Sequence, residues 1–216
     1  MSLAAPRPLP FAPARPCGLV RPLDFRRLLG GPAWRSLAAA VQRRFGPAAH
    51  LVPVRYDGVM EVRASRVGRW MAQALRPLGT PLAPWTGEAV PVAVDVWTDP
   101  RGALVWDRTY RFAGRAAVTV TSMKKLGRDG QLMEVVRGGL GMMLRVTAEG
   151  GALHFRSRGY FLEAAGVRLP IPQLLTPGAA HVVHEDLGGG RFRFTLRFAH
   201  ALFGETFFQT GVFEDP

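Results

Sequence analysis

The sequence predicts an α+β domain: a large curved antiparallel sheet, or partly closed barrel, of eight to nine strands with two to three N-terminal helices packed on it. Three observations predict it. From Val90 onward, stretches of alternating apolar and polar residues are separated by turn residues about every ten positions. The separators RDG, EGG and GGG supply glycines that accept positive φ in tight reversals. No helical stretch follows strand after strand, as a parallel doubly wound sheet would need.

The helices come first. Asp24 can cap a helix that begins at Phe25, Leu28 and Leu29. Pro32 suits a first helical position, and Trp34, Leu37, Val41 and Phe45 then repeat at helical spacing until Gly46. A strand follows in which Val54, Tyr56, Gly58, Met60 and Val62 alternate with Arg55, Asp57, Glu61 and Arg63. Ser65 can cap the next helix, whose Val67, Trp70, Met71, Ala74, Leu75 and Leu78 form an apolar stripe ending at Gly79. Such a stripe reads as core packing. Beyond Val90, strands run from VPVAVDVW to TFFQTGVF, interrupted once by a Pro-rich connection before AAHVVHEDL.

Residues 1–22 hold six prolines and three arginines and read as a flexible tail, with residues 23–216 forming a single domain. Cys17 lies in that tail as a bystander, and one cysteine allows no disulfide within the chain. The first residues lack the unbroken apolar run of a secretory signal, and no stretch is long and apolar enough to cross a membrane as a helix. A cytoplasmic protein is expected. All but two of the 28 basic residues are arginine, which with abundant Ala, Gly and Pro reflects a GC-rich coding bias. Residues 1–46 carry eight arginines against the single acid Asp24, so much of the net charge of +12 sits near the N-terminus. That is no groove for DNA, and specific nucleic-acid binding is not expected.

The strand RFRFTLRF splits cleanly: Phe192, Phe194, Leu196 and Phe198 point one way, and Arg191, Arg193, Thr195 and Arg197 the other. Phe207 or Phe208 would join the aromatic face from the next strand. In ALHFRSRGYFL the same rule puts His154, Arg156, Arg158 and Tyr160 together. Arginines at a cavity mouth could clamp a carboxylate or phosphate, so Arg156, Arg158, Tyr160, Arg193, Phe194 and Phe207 are the candidate ligand-binding residues. Glu205, beside Phe203, Phe207 and Phe208, is the candidate acid or base if its surroundings are dry. The plainer reading pairs it with an arginine at a sheet edge. His181 and His184 are three apart on a strand, point to opposite faces and cannot share a metal, so no metal site is expected. Lys124 beside Lys125 could lower an amine pKa for Schiff-base chemistry. KKLGRDG, however, runs straight into a turn and reads as a solvated hairpin end. Gly139-x-Gly141 lies between strands rather than before a helix, so no nicotinamide cofactor is expected either.

Several segments together resemble a family: FRRLLGGPAW at 25–34, the Tyr56/Gly58/Met60/Val62 strand with its following helix, TGEAVPV at 86–92, GALHF and GYFL within 151–162, LPIPQLLTPG at 169–178, GRFRF at 190–194 and LFGETFFQ at 202–209. They are similar to the bacterial family labelled domain of unknown function 4166, over residues 24–214. Members of that family stand alone or are appended to saccharopine-dehydrogenase-like proteins, so the resemblance implies an oxidoreductase partner. It carries over no catalytic residue.

Two function classes follow from the residues. One is a binding module holding an apolar or acyl-like small molecule against the aromatic face. The other is a small enzyme using the same cavity, with Glu205 or a histidine moving a proton. The first is favoured, because no nucleophile and base can be paired from spacing. A third, accessory role beside an NAD(P)-dependent oxidoreductase rests on the family resemblance alone.

Overall fold

The computed structural model describes residues 22–78, 82–164 and 167–216, so the tail, apart from Pro22, and Cys17 lie outside the described residues. Eleven strands form one antiparallel sheet: β1 (Val54–Ala64), β2 (Gly87–Thr98), β3 (Leu104–Tyr110), β4 (Val118–Leu126), β5 (Leu132–Val136), β6 (Leu140–Glu149), β7 (Ala152–Ala164), β8 (Val167–Ile171), β9 (Ala179–Gly188), β10 (Arg191–His200) and β11 (Gly204–Glu214). Their order is β6-β5-β4-β3-β2-β1-β11-β10-β9-β7-β8, and β6 also pairs with β7. That last pairing closes ten strands into a barrel and leaves β8 as an extra strand.

The closure depends on the length of β7. One edge pairs with β6 from Ala152 to Leu162. The other edge is shared: Leu153–Arg156 pairs with β9, and Tyr160–Ala164 pairs with β8. The expected eight to nine strands become ten in the barrel plus one: the Val54–Ala64 strand joins the ring between β2 and β11, and β8 forms inside the stretch read as a Pro-rich connection. Closing the sheet gives each of the ten barrel strands a paired neighbour on both sides over at least part of its length.

The helices are short. Asp24 caps α1 (Phe25–Leu29) by accepting from the N–H groups of Arg26 and Arg27. The expected continuous helix from Pro32 to Phe45 is instead α2 (Gly31–Arg35) and α3 (Ala39–Arg44). It breaks because the Ala38 N–H is taken by the Gly151 carbonyl of the β6–β7 turn, at 2.9 Å. The same end of the barrel is tied to Leu23, whose N–H reaches Gly102 O at 3.1 Å, and to Arg44, which forks the Asp215 carboxylate at 2.9 and 2.6 Å. Phe25, Phe45 and Phe155 meet there edge to face or tilted, at 5.4 to 6.1 Å. These helices plug the barrel end.

At the other end lies α4 (Arg66–Ala74), capped by the Ser65 hydroxyl, which accepts from the Gly68 N–H at 3.1 Å. It stops at Ala74 and gives way to a 3-10 turn at Arg76–Leu78, since Pro77 has no N–H to continue it. Its packed face is Gly68, Met71 and Ala72, so the expected stripe holds at Met71 but not at Trp70, which is 70% exposed. Gly68 explains the rotation: a Cβ there would collide with the Thr206 carbonyl, so this is where helix and barrel backbones come closest. Thr206 in turn donates to the Pro177 carbonyl, and Tyr160 OH donates to the Gly178 carbonyl, which binds the segment before β9 across the same end.

The inner faces meet inside the barrel. Phe192, Phe194, Leu196 and Phe198 of β10 point inward as the alternation predicts, with Phe207 and Phe213 of β11, while Arg191, Arg193 and Arg197 are exposed. Phe208 faces outward beneath Arg63, whose guanidinium lies 4.4 Å from its ring centre. A second, smaller apolar cluster of Met133, Val135 and Phe161 packs apart from the main core, with Met123 and Met143 against it.

Candidate functional site

Three neighbouring strands turn polar side chains into the barrel. Alternation along β3 directs Trp106, Arg108 and Tyr110 inward, and along β4 it directs Val120, Ser122 and Lys124. Glu134 of β5 stands directly across the ladder from Lys124. Lys124 Nζ lies 3.1 Å from Glu134 Oε2, and Ser122 donates to Oε1 of the same carboxylate at 2.7 Å. Arg108 donates from Nη1 to Ser122 Oγ at 3.0 Å, and its Nη2 is 3.9 Å from Glu134. The Lys124 ammonium also sits 3.8 Å from the centre of the Trp106 ring.

Lys124 is 1% exposed. Burial, opposed by Glu134 and reinforced by Arg108, lowers its pKa to about 8. For Glu134, burial alone would raise the carboxyl, but Lys124 and Arg108 outweigh it and hold the group below its usual range. The pair is therefore ionised at neutral pH. Two cations then share one carboxylate, so the cluster carries an excess positive charge inside the barrel.

Deeper toward the helical plug, the His184 ring is enclosed by Phe45 at 4.8 Å and by Trp106 and Phe194 at 5.2 Å each. Burial, aided by Lys124, Arg44 and Arg108, keeps this imidazole well below its ordinary pKa and so neutral. Neither ring nitrogen has a hydrogen-bond partner among the described residues, and the same holds for Trp106 Nε1 and Arg44 Nη1. Nearby, His50 Nε2 lies 3.2 Å from Tyr56 OH, and burial with Arg44 drops the His50 pKa to about 4. Buried polar groups are normally satisfied, so unpartnered nitrogens on His184, Trp106 and Arg44 leave hydrogen-bonding capacity open to a polar guest such as water.

Two cavities lie between these groups. The larger, about 80 Å³, has Arg108, Ser122, Lys124 and Glu134 on one side and Leu196, Phe198 and Phe207 on the other. Leu75, Leu82, Ala83 and Pro177 line it at the α4 end. The smaller, about 40 Å³, is bounded by Arg44, His50, Trp106 and His184. Arg108 and Phe194 line both and form the partition between them.

Of the residues singled out from sequence, Tyr160, Phe194 and Phe207 line the larger cavity. The candidates Arg156, Arg158, Arg193 and Glu205 do not. Glu205 pairs with Arg197 at 2.9 Å on the exposed side of the barrel, Arg193 pairs with Glu185 at 3.3 Å, and Arg156 pairs with Glu149 at 2.6 Å. Arg158 is exposed as well. Tyr160 parts from Arg156 because a bulge between Met143 and Leu144 leaves Arg158 without a ladder partner, shifting the alternation by one. His181 and His184 do face opposite ways: His184 is inside, while His181 stacks on His154 with 3.0 Å between ring nitrogens. The solvated-hairpin reading of Lys124 is overturned. The strand persists to Leu126, so Lys124 falls two steps from the inward Ser122, and only Lys125 reaches outward, to Glu163 at 2.9 Å.

Spacing in the sequence does not gather Arg108, Ser122, Glu134 and His184 into one site, because they lie on four strands. The signal was period two carried through polar positions, from Val120 to Lys124 and from Leu132 to Glu134. Among the described residues no three His, Cys, Asp or Glu side chains gather as a metal ion would require, and no helix is long and apolar enough to cross a membrane. No curated protein and no solved structure matches the chain significantly. The model of one family matches residues 37–213, most of the barrel and part of its helical plug, and the chain therefore belongs to DUF4166, a domain of unknown function.

Proposed function

We propose that the barrel is a binding module for a small organic anion, its carboxylate held at Arg108 and its carbon skeleton laid against Leu196, Phe198 and Phe207. The observation that carries this reading is the uncompensated positive charge of the Arg108–Lys124–Glu134 cluster on a cavity wall. A buried charge without a partner is strongly destabilising, and a ligand carboxylate removes that penalty. Arg108 makes one hydrogen bond among the described residues, to Ser122, which leaves most of its fork free for a guest.

Size narrows the class. A cavity of about 80 Å³ is well below the ~300 Å³ of a drug-sized pocket and holds only a handful of non-hydrogen atoms. A long acyl chain fits only by displacing Leu75, Leu82, Ala83 or Pro177 at the α4 end. The apolar guest expected from the aromatic face thus becomes a short acid with an apolar side.

Thermal unfolding against a series of carboxylic acids from acetate to decanoate, with the matching alcohols, tests this. Short acids should raise the melting temperature and alcohols should not; a ligand at 100 times its dissociation constant adds about 2.7 kcal/mol of stability. Arg108→Met should abolish the acid effect. Equal responses to acids and alcohols would refute an anion site.

A further inference from the structure

The cluster holds more than an anion site needs. An arginine alone would hold a carboxylate, yet the cavity wall also presents an amine, a carboxylate touching that amine and a hydroxyl bonded to the same carboxylate. We propose that Lys124 is a nucleophilic amine that condenses with the carbonyl of a small oxo acid held by Arg108, with Glu134 carrying the protons. This rests on the anion-binding reading and deepens it by naming the reactive group of the ligand.

The geometry meets each demand of imine formation. The amine must lose a proton, and Glu134 Oε2 is 3.1 Å away to accept it. It must be shielded from water, and Lys124 is buried against Trp106 and Phe155. A second cation should make the ammonium form less favourable, and Arg108 faces it from β3 across the Glu134 carboxylate. The buried Tyr110 and Tyr160 line the same cavity, with burial raising their pKa values so that they stay neutral, and His184 of β9 is neutral too, so none of them alters the charge that Lys124 meets. Burial and Arg108 lower the Lys124 pKa to about 8, which makes the neutral amine easier to reach than for an ordinary lysine.

The step balances without an oxidant or reductant. The ammonium passes one proton to Glu134, and the free amine attacks the ligand carbonyl, forming a C–N bond and an alkoxide. A proton moves from that nitrogen to the oxygen, giving a carbinolamine. Glu134 then returns its proton to the hydroxyl, the C–O bond breaks, water leaves, and a protonated imine remains beside an ionised Glu134. Such an imine withdraws electrons from the adjacent carbon, which is the chemistry of decarboxylation or of proton exchange next to a carbonyl.

The chain suits a clean test, because its only lysines are Lys124 and Lys125. The full chain is incubated with pyruvate and cyanoborohydride, which reduces an imine to a stable amine, and the adduct is located by peptide mass. The expected result is one adduct at Lys124, unchanged in Lys125→Arg and absent in Lys124→Arg, with Glu134→Gln slowing trapping about a hundredfold. Propionate, an acid of similar size without the oxo group, is tested in parallel by thermal shift. Propionate stabilisation with no Lys124 adduct would overturn the nucleophile and leave the anion site standing. Failure of both would overturn both, and labelling confined to Lys125 or the N-terminal amine would overturn the nucleophile. Should Lys124→Arg fail to fold, the Lys125→Arg chain still decides the matter by the position of its adduct.

Discussion

Along β10 the inward positions are Phe192, Phe194, Leu196 and Phe198, whereas along β4 they are Val120, Ser122 and Lys124, with Glu134 beside them on β5. The two walls follow the same alternation and face the same cavity, yet one is aromatic and the other charged. The aromatic wall stabilises the barrel by leaving water, at about 25 cal/mol for each square ångström of apolar surface buried. The charged wall opposes much of that gain, since desolvating ions disfavours folding and their mutual attraction at best offsets it. A chain that needed only stability would have two aromatic walls. A charged wall turned toward a cavity is what the proposed anion site requires.

The comparison can be broken first at the pair itself. Glu134→Ala leaves Lys124 and Arg108 without their buried counter-charge and should cost about 3–5 kcal/mol at pH 7, read by denaturant unfolding. The penalty should shrink between pH 7 and 10. Lys124 then enters the fold as a neutral amine, while the unfolded chain still holds that proton up to the ordinary lysine value of 10.5, so stability rises with pH. A penalty independent of pH would mean that the lysine is not responsible.

Phe198→Ala on the opposite wall should cost a similar or slightly smaller amount, about 3–4 kcal/mol, with no dependence on pH. The same cost at pH 7 and at pH 10 marks it as lost packing. Acidification probes the deeper chamber. His184 stays neutral in the fold because burial lowers its pKa, whereas in the unfolded chain it takes a proton below about 6.5. Stability should therefore fall as pH drops below that value, with His50 adding to the loss until its own pKa of about 4. His184→Leu should flatten this decline by a few degrees of melting temperature between pH 7 and 5. An unchanged slope would show that charging the ring costs nothing, as a bridging guest would allow.

The smallest effect belongs to the outer surface. Glu205→Gln breaks only the exposed pair with Arg197 and should change stability by less than about 0.5 kcal/mol. It should leave acid-induced stabilisation and lysine trapping intact. Loss of either would return Glu205 to the site.

Some features were legible one segment at a time. The turns, the alternation of β10, the caps Asp24 and Ser65 and the opposed histidines of β9 depend on neighbours within a few residues, and local chemistry settles them. Other features required partners far along the chain. Whether the sheet closed depended on β7 reaching β6, β8 and β9 at once. A bulge opposite Met143 and Leu144, not the spacing of Arg156 and Tyr160, decided which of the two points inward. The contact of Gly68 with Thr206 decided which side of α4 packs. Lys124 is the sharpest case. By itself a lysine belongs in water, and it enters the core only because Glu134 stands opposite on the next strand and Arg108 and Ser122 complete the network. The alternating pattern in the sequence determined that β4 has two faces. Which face turned inward was decided by the tertiary structure, because a charge can be buried only when the groups that compensate it have been brought alongside.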